Sequence, residues 1–345
     1  MKKAFTLIEL VVTIAILTMV ISFTSVIFNV SIDAHRTSAA SAEIMQKFRA
    51  ITDQLNRDFR SLQKDAPLLI WFQKDNSLIA PNRFDQIMFF AAGDFQSTQL
   101  YDFINGTPNP VAGTSPLVGN IARIHYGQAQ CKDPRDGFSR CKPEDLPKEM
   151  RILARRRHIL TADTRLVPWP DFSDFVTSFQ GLTPEDKLKN EVYEHDRLSL
   201  AQWKTIPIDD YGTVLLMFPD FPPWVDKGDP NTFHKLMCEG IGSFAIQWAY
   251  PYPVSAPSEF RWYPETQHFA LMGGSDKFGV CFNIPDPTST GVLPPWYFIQ
   301  NTLYESGTFD SDFYPRALKF TFTLYDSKGI IKNGREFTHI VYLDN

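Results

Sequence analysis

Glycine and proline are missing from positions 5 to 64, and between Phe5 and Ile32 only Glu9 is charged. The first absence removes the residues that normally turn or break a helix. The second leaves no charged face with which a helix could meet water. The rest of the 345-residue chain lacks the short motifs of common chemistries: no G-x-S-x-G elbow, no H-E-x-x-H, no P-loop and no G-x-G-x-x-G. Seven histidines stand singly, at positions 35, 125, 158, 195, 234, 268 and 339. Glu194, His195 and Asp196 are adjacent in sequence and so do not converge on one point. The four cysteines form no C-x-x-C pair, which argues against a zinc site. The expectation is a chain that is not an enzyme and that holds no metal and no cofactor.

What is present begins with length. The run from Phe5 to Ile32 is apolar or small-polar and exceeds the ~20 residues that cross a bilayer as a helix. A carboxylate near its start is costly in lipid unless something pairs with it. A secretory signal would have a shorter apolar stretch before an A-x-A-like site, and no such site follows. Lys2 and Lys3 favour an inside N-terminus. Beyond the run, Ile44, Phe48, Ile51, Leu55, Phe59 and Leu62 recur at helical spacing, with Lys47, Arg49, Asp53, Arg57, Asp58 and Lys64 mostly off that stripe. Pro67 marks a stop. One helix of about 60 residues, about 90 Å long, is expected, rather than two helices broken near Asp33 to Arg36.

The string Ala4-Phe5-Thr6-Leu7-Ile8-Glu9-Leu10 resembles the N-terminus of type IV pilins and of type II secretion pseudopilins. The resemblance implies a leader, residues 1–4, cut by a prepilin peptidase between Ala4 and Phe5. It also implies N-methylation of Phe5, and Glu9 as the carboxylate that pairs with the Phe5 amine of a neighbouring subunit. Such pairing makes a buried carboxylate tolerable and fixes register. The family usually has glycine before the cut, where this chain has Ala4. On this reading residues 5–32 form a transmembrane and filament-core helix, residues 33–66 its amphipathic continuation, and residues 67–345 a periplasmic, pilin-like β-rich domain. Implied partners are other pilins or pseudopilins through the helix, the prepilin peptidase, an inner-membrane assembly platform, and membrane lipid before assembly.

After Pro67 the pattern turns to strands. Leu68–Phe72, Ile87–Phe90, 121–126 and 150–160 read as strands, and 214–218 reads as a buried one. Phe244, Ile246, Trp248 and Tyr250 alternate with smaller or polar residues. Leu318, Phe320, Phe322 and Leu324 face one way, and a turn at Asp326-Ser327-Lys328-Gly329 returns the chain through Phe337 to Leu343. A short helix is expected from Thr183 to about His195, and long loops at 219–233 and 285–295. Twenty-five prolines and 14% aromatic residues suit such a loop-rich β domain. The fold class is α+β: a long N-terminal membrane-spanning helix packed on antiparallel sheet.

This order of elements most resembles the J-type minor pseudopilins. The resemblance rests on the helix Phe48 to Leu62 with Asn56-Arg57-Asp58, the strand Asp85 to Phe90, the arginine-bearing hairpin at 121–160, and Pro315 to Phe320. Its implied role is structural: to start or cap a periplasmic pseudopilus. A minor pilin of a type IV pilus or DNA-uptake filament shares the helix. A membrane-anchored periplasmic binding domain would have no need of Glu9.

Beyond Ile32 there are 32 basic and 38 acidic residues, a net charge of −6 that offers no generic nucleic-acid surface. Four cysteines allow three pairings. Cys131 with Cys141, closing a short loop, is favoured, and Cys238 with Cys281 follows by elimination. Arg151, Arg155, Arg156, Arg157 and His158 form a basic cluster, read first as outward arginines that keep an edge strand soluble. The second reading is a docking patch for an acidic partner or lipid head group. Glu305, Asp310 and Asp312 read as solvated loop acids rather than calcium ligands.

Overall fold

The computed structural model describes residues 7–74, 82–104, 107–109, 115–132, 140–141, 143–160, 194–196, 198–205, 223–251, 260–264, 277–282, 296–299 and 314–343. Helix α1 (Leu7–Arg60) runs 54 residues without a break, about 80 Å at 1.5 Å per residue. It passes through Asp33 to Arg36 as helix. Several of its Ser and Thr side chains are turned back onto the helix itself, as where Ser22 and Thr24 hydroxyls donate to the carbonyls four residues earlier. The helix ends six residues before Ala66, with Ser61 and Leu62 amides donating to the Asp58 and Phe59 carbonyls in a tightened last turn.

Fifteen strands follow among the described residues. They are β1 (Leu68–Gln73), β2 (Gln86–Ile104), β3 (Thr107–Asn109), β4 (Ser115–Gln128), β5 (Gln130–Lys132), β6 (Arg140–Cys141), β7 (Ile152–Leu160), β8 (Trp224–Val225), β9 (Leu236–Glu239), β10 (Ile241–Pro251), β11 (Phe260–Tyr263), β12 (Lys277–Phe282), β13 (Trp296–Ile299), β14 (Ala317–Leu324) and β15 (Arg335–Tyr342). Two short helices, α2 (Leu200–Thr205) and α3 (Pro230–Phe233), lie between them. The large sheet has the order β13-β12-β1-β2-β4-β7-β9, with β3 added to the far end of β2. A second sheet runs β11-β10-β14-β15, and a small third runs β6-β5-β8.

The pairs β2–β4, β4–β7 and β14–β15 are antiparallel, as expected of hairpin-connected strands. β1 is buried on both faces from Leu68 to Phe72, which explains its continuous apolar run. The β14–β15 turn is held by the Asp326 carboxylate, which accepts from the amides of Lys328, Ile330 and Ile331. The chain leaves that turn at Gly334, whose φ of 63° favours glycine.

The two larger sheets meet at Arg83-Phe84-Asp85, ahead of β2. The Asp85 carboxylate accepts from the amides of Gln73 and Ile246, and the Phe244 amide donates to the Arg83 carbonyl. One apolar core results, shared by α1 (Ile44, Ile51, Leu55, Phe59), the large sheet (Leu68, Phe72, Phe89, Ile124) and the second sheet (Phe244, Trp248, Phe320, Phe322). The expected loop from 219 to 233 carries β8 and α3 in its described part. The strand expected at 214–218, most of the helix from Thr183, the loop at 285–295, and Glu305, Asp310 and Asp312 lie outside the described residues.

Candidate functional site: the two halves of the long helix

The first half of α1 is long and apolar enough to cross a membrane, and none of its apolar window is buried within the chain. Sixteen large apolar side chains from Leu7 to Val30 are exposed, from 51% at Val12 to 82% at Leu7. Apolar surface this extensive is not left to water by a folded protein. Glu9 lies in the first turn, where a carboxylate complements the helix dipole, and the Thr13 hydroxyl donates to the Glu9 carbonyl. Ala4 and Phe5 lie outside the described residues.

The second half is seated on the domain. Ala40, Ile44, Ile51, Leu55 and Phe59 are buried. Phe48 stacks on Phe337 with ring centroids 4.6 Å apart, and Phe59 on Phe89 at 4.2 Å. Polar contacts fasten both ends of this seat. At its start, Lys47 Nζ donates to the Tyr325 carbonyl at 2.9 Å and pairs with Glu43 at 2.8 Å, while Glu43 accepts from the Ser327 amide. At its end, the buried Asp58 carboxylate accepts both arms of Arg155, at 2.6 and 2.8 Å, and Gln54 Nε2 at 3.0 Å. The Tyr126 hydroxyl donates to it as well. Burial and the neighbouring Asp58 charge push Tyr126 well above its usual range, so it remains a donor. Close to that end, His339 Nε2 and Asn56 Oδ1 are 2.9 Å apart.

Asp58 is the residue that sequence reasoning misplaced. Its charge groups it with the residues off the helical stripe, yet Ile51, Leu55, Asp58 and Leu62 are spaced by 4, 3 and 4, which is itself a helical face. The basic cluster is corrected in the same way. β7 is not an edge strand; it lies between β4 and β9. Arg151 and Arg156 are buried, and Arg155 is engaged by α1, so the cluster is neither a solvated edge nor an exposed patch. Arg151 donates to the carbonyls of Leu146 and Gly242, and Arg157 pairs with buried Glu194 at 3.2 Å.

On the face of the large sheet away from α1, arginine and histidine alternate along and across two strands. Arg123 lies opposite His158, and His125 opposite Arg156. Arg123 Nη2 is 2.7 Å from His158 Nδ1, and Arg156 Nη2 is 3.1 Å from His125 Nδ1. A guanidinium only donates, so each Nδ1 accepts and each imidazole is neutral. Burial, with the neighbouring guanidinium charges, pushes both histidines well below their usual range. Asp196 pairs with Arg123, whose guanidinium also lies over the Trp203 ring of α2. This face is a buried polar layer under α2. Among the described residues no group of three or more His, Cys, Asp or Glu side chains could hold a metal ion.

The cysteines divide. Cys131 and Cys141 lie directly opposite one another on β5 and β6. Cys238, on β9, has β7, β4, β2 and β1 between it and Cys281 on β12. Five spacings of about 4.8 Å far exceed the Cα separation a disulfide spans. The sheet order sets Cys238 and Cys281 apart and does not support the pairing expected by elimination.

Residues 1–25 match the family model described as the prokaryotic N-terminal methylation motif. No curated protein matches the chain, and no solved structure does. The motif supports a subunit of the pilin and pseudopilin type, and the exposed apolar helix fits a single-pass membrane anchor.

Proposed function

We propose that this chain is a minor pseudopilin of the J type. It is a structural, non-enzymatic subunit that helps to start or cap the periplasmic pseudopilus of a type II secretion-like system. The observation that carries this reading is the division of α1. One half is seated in the domain, while the other presents an uncovered apolar surface that begins with Glu9 inside a methylation motif. Before assembly that surface faces lipid, with the N-terminus in the cytoplasm and the domain in the periplasm. In the filament it faces the equivalent helices of neighbouring subunits. The prepilin peptidase cuts between Ala4 and Phe5, Phe5 is methylated, and Glu9 meets the amine of a neighbour.

Intact-mass measurement and N-terminal sequencing of the protein from membranes test the first step. A chain beginning at methylated Phe5 supports the reading. A chain that keeps Met1 to Ala4, in cells whose other pilins are processed, overturns it in favour of a static anchor. Co-isolation with the inner-membrane platform of a secretion system, rather than of a pilus, separates this role from that of a minor pilin.

A further inference from the structure

We infer that this protein carries a single structural disulfide, between Cys131 and Cys141, and that its other two cysteines remain thiols. The strands β5 and β6 are antiparallel, with Cys131 opposite Cys141 and Lys132 opposite Arg140. Residues directly opposed in such a pair have Cα atoms about 4.5–5.5 Å apart and side chains on the same face, within the range a disulfide spans. The register that sets the two cysteines opposite one another is fixed by the pairing of β5 with β6.

The two sites differ in what surrounds them. Cys131 is half-buried and packs against a small cluster of Ala129, Ile152, Ala154 and Val225, apart from the main core. The strands that bear the pair are short, three and two residues, and form an outlying sheet with β8. Lys132, the next residue, pairs with Asp226, and its side chain is about half exposed. Cys141 is buried and Cys131 only partly so, which leaves Cys131 as the sulfur an oxidant meets first. Cys238 belongs to the main core with Leu153 and Ile241, and its Sγ is 3.2 Å from the Glu239 carbonyl. Burial pushes that thiol up to about 12, and the thiolate is the species that exchanges. Four strands lie between it and the strand of Cys281.

The reaction is thiol–disulfide exchange with a reactive disulfide, whether on an oxidoreductase or on a small molecule such as glutathione disulfide. One cysteine thiolate attacks the oxidant and releases its first thiol. The second cysteine then displaces the remaining half, forming the Cys131–Cys141 bond. Two electrons and two protons pass to the oxidant, which leaves as two thiols. The bond closes a loop of about ten residues and holds β5 and β6 together, and with them the edge on which β8 is laid in parallel.

The inference rests on the reading that the domain lies outside the cytoplasm, where disulfides persist. The test uses the full chain in its membrane. Cells are quenched in acid, thiols are blocked with a maleimide, and peptides are mapped by mass without and with reduction. Protease added to spheroplasts reports separately on which side the domain lies. The expected result is a Cys131–Cys141 linked peptide, with Cys238 and Cys281 carrying the maleimide. A domain open to protease with Cys131 and Cys141 both blocked overturns the inference, as does any bridge to Cys238 or Cys281. A domain shielded from protease overturns the localisation instead. The detergent-solubilised full chain is then incubated with glutathione disulfide, and failure to form the 131–141 bridge overturns the inference. Where the bond forms, the double variant Cys131→Ser, Cys141→Ser melts about 5 °C lower than the oxidised protein.

Discussion

Residues 7–30 and 40–60 belong to one unbroken helix, but they are built for different surroundings. In the first half apolar residues circle the whole helix, and none of its apolar window is covered by the rest of the chain. In the second half they narrow to a stripe, and the positions off it carry charge, as at Arg49, Asp53 and Arg57. Among the described residues that half is fastened to the domain by polar contacts, among them those at Glu43, Lys47 and Asp58. The difference shows that α1 is held together as a helix by backbone bonding throughout, while its place in the molecule is fixed by its second half alone. A change in the first half should therefore alter association and leave domain stability untouched. A change in the second half should do the reverse.

The largest separation is expected from Glu9→Gln. Loss of one buried charge pairing should reduce incorporation into filaments by at least about tenfold. The thermal midpoint of the domain should stay within 1 °C or so of the native value, since one surface change rarely exceeds about 0.5 kcal/mol. Co-purification with other subunits and a melting curve on the same sample check both halves. Asp58→Ala is the mirror image. Removing one partner of a buried, bidentate pair should cost about 3–5 kcal/mol of domain stability by denaturant titration, without changing membrane insertion.

Leu55→Ala should cost about 2–5 kcal/mol, with the same sparing of insertion. Acid should act on the domain through His125 and His158, whose folded pKa values lie below the unfolded value near 6.5. Their contribution is present above pH 6.5 and is lost as pH falls below it. Denaturant midpoints measured from pH 7.5 to 5 should therefore fall, and fall less steeply in His158→Gln. The smallest effect is assigned to Glu43→Ala, where a partly exposed pair is worth only a few tenths of a kcal/mol. A loss at Glu43 as large as that at Asp58 would mean that the start of the seat matters as much as its end.

The legible parts of the sequence are those governed by short-range period. The apolar run from Leu7, the stripe from Ile44 to Phe59, the alternation at Phe244 to Trp248 and the β14–β15 hairpin all repeat within a few residues, and each appears as an element of the fold. Strand order is set by pairing between distant segments. Nothing local places β9 beside β7 or β12 beside β1, and elimination takes no account of the strands between Cys238 and Cys281. Polar residues on a strand read as solvent-facing because a period of two has only an inside and an outside. A second covering layer, with Trp203 of α2 over Arg123, turns that outside into an interior. Asp58 is hidden for a related reason: its charge suggests exposure, although its spacing places it on the buried face.

The continuity of α1 has a mechanical consequence. About 50 Å of helix precede Ala40 and about 30 Å lie in the seat. The helix is thus a cantilever whose free arm is longer than its socket. A sideways force on the membrane end acts through that arm as a torque, with Glu43 and Lys47 near the fulcrum and Asp58 near the far end. Tilting the arm one way or the other presses one of these fastenings and pulls on the opposite one. The stiffest polar joint, the Asp58 and Arg155 pair, stands at the end where a tilting rod would otherwise lift away.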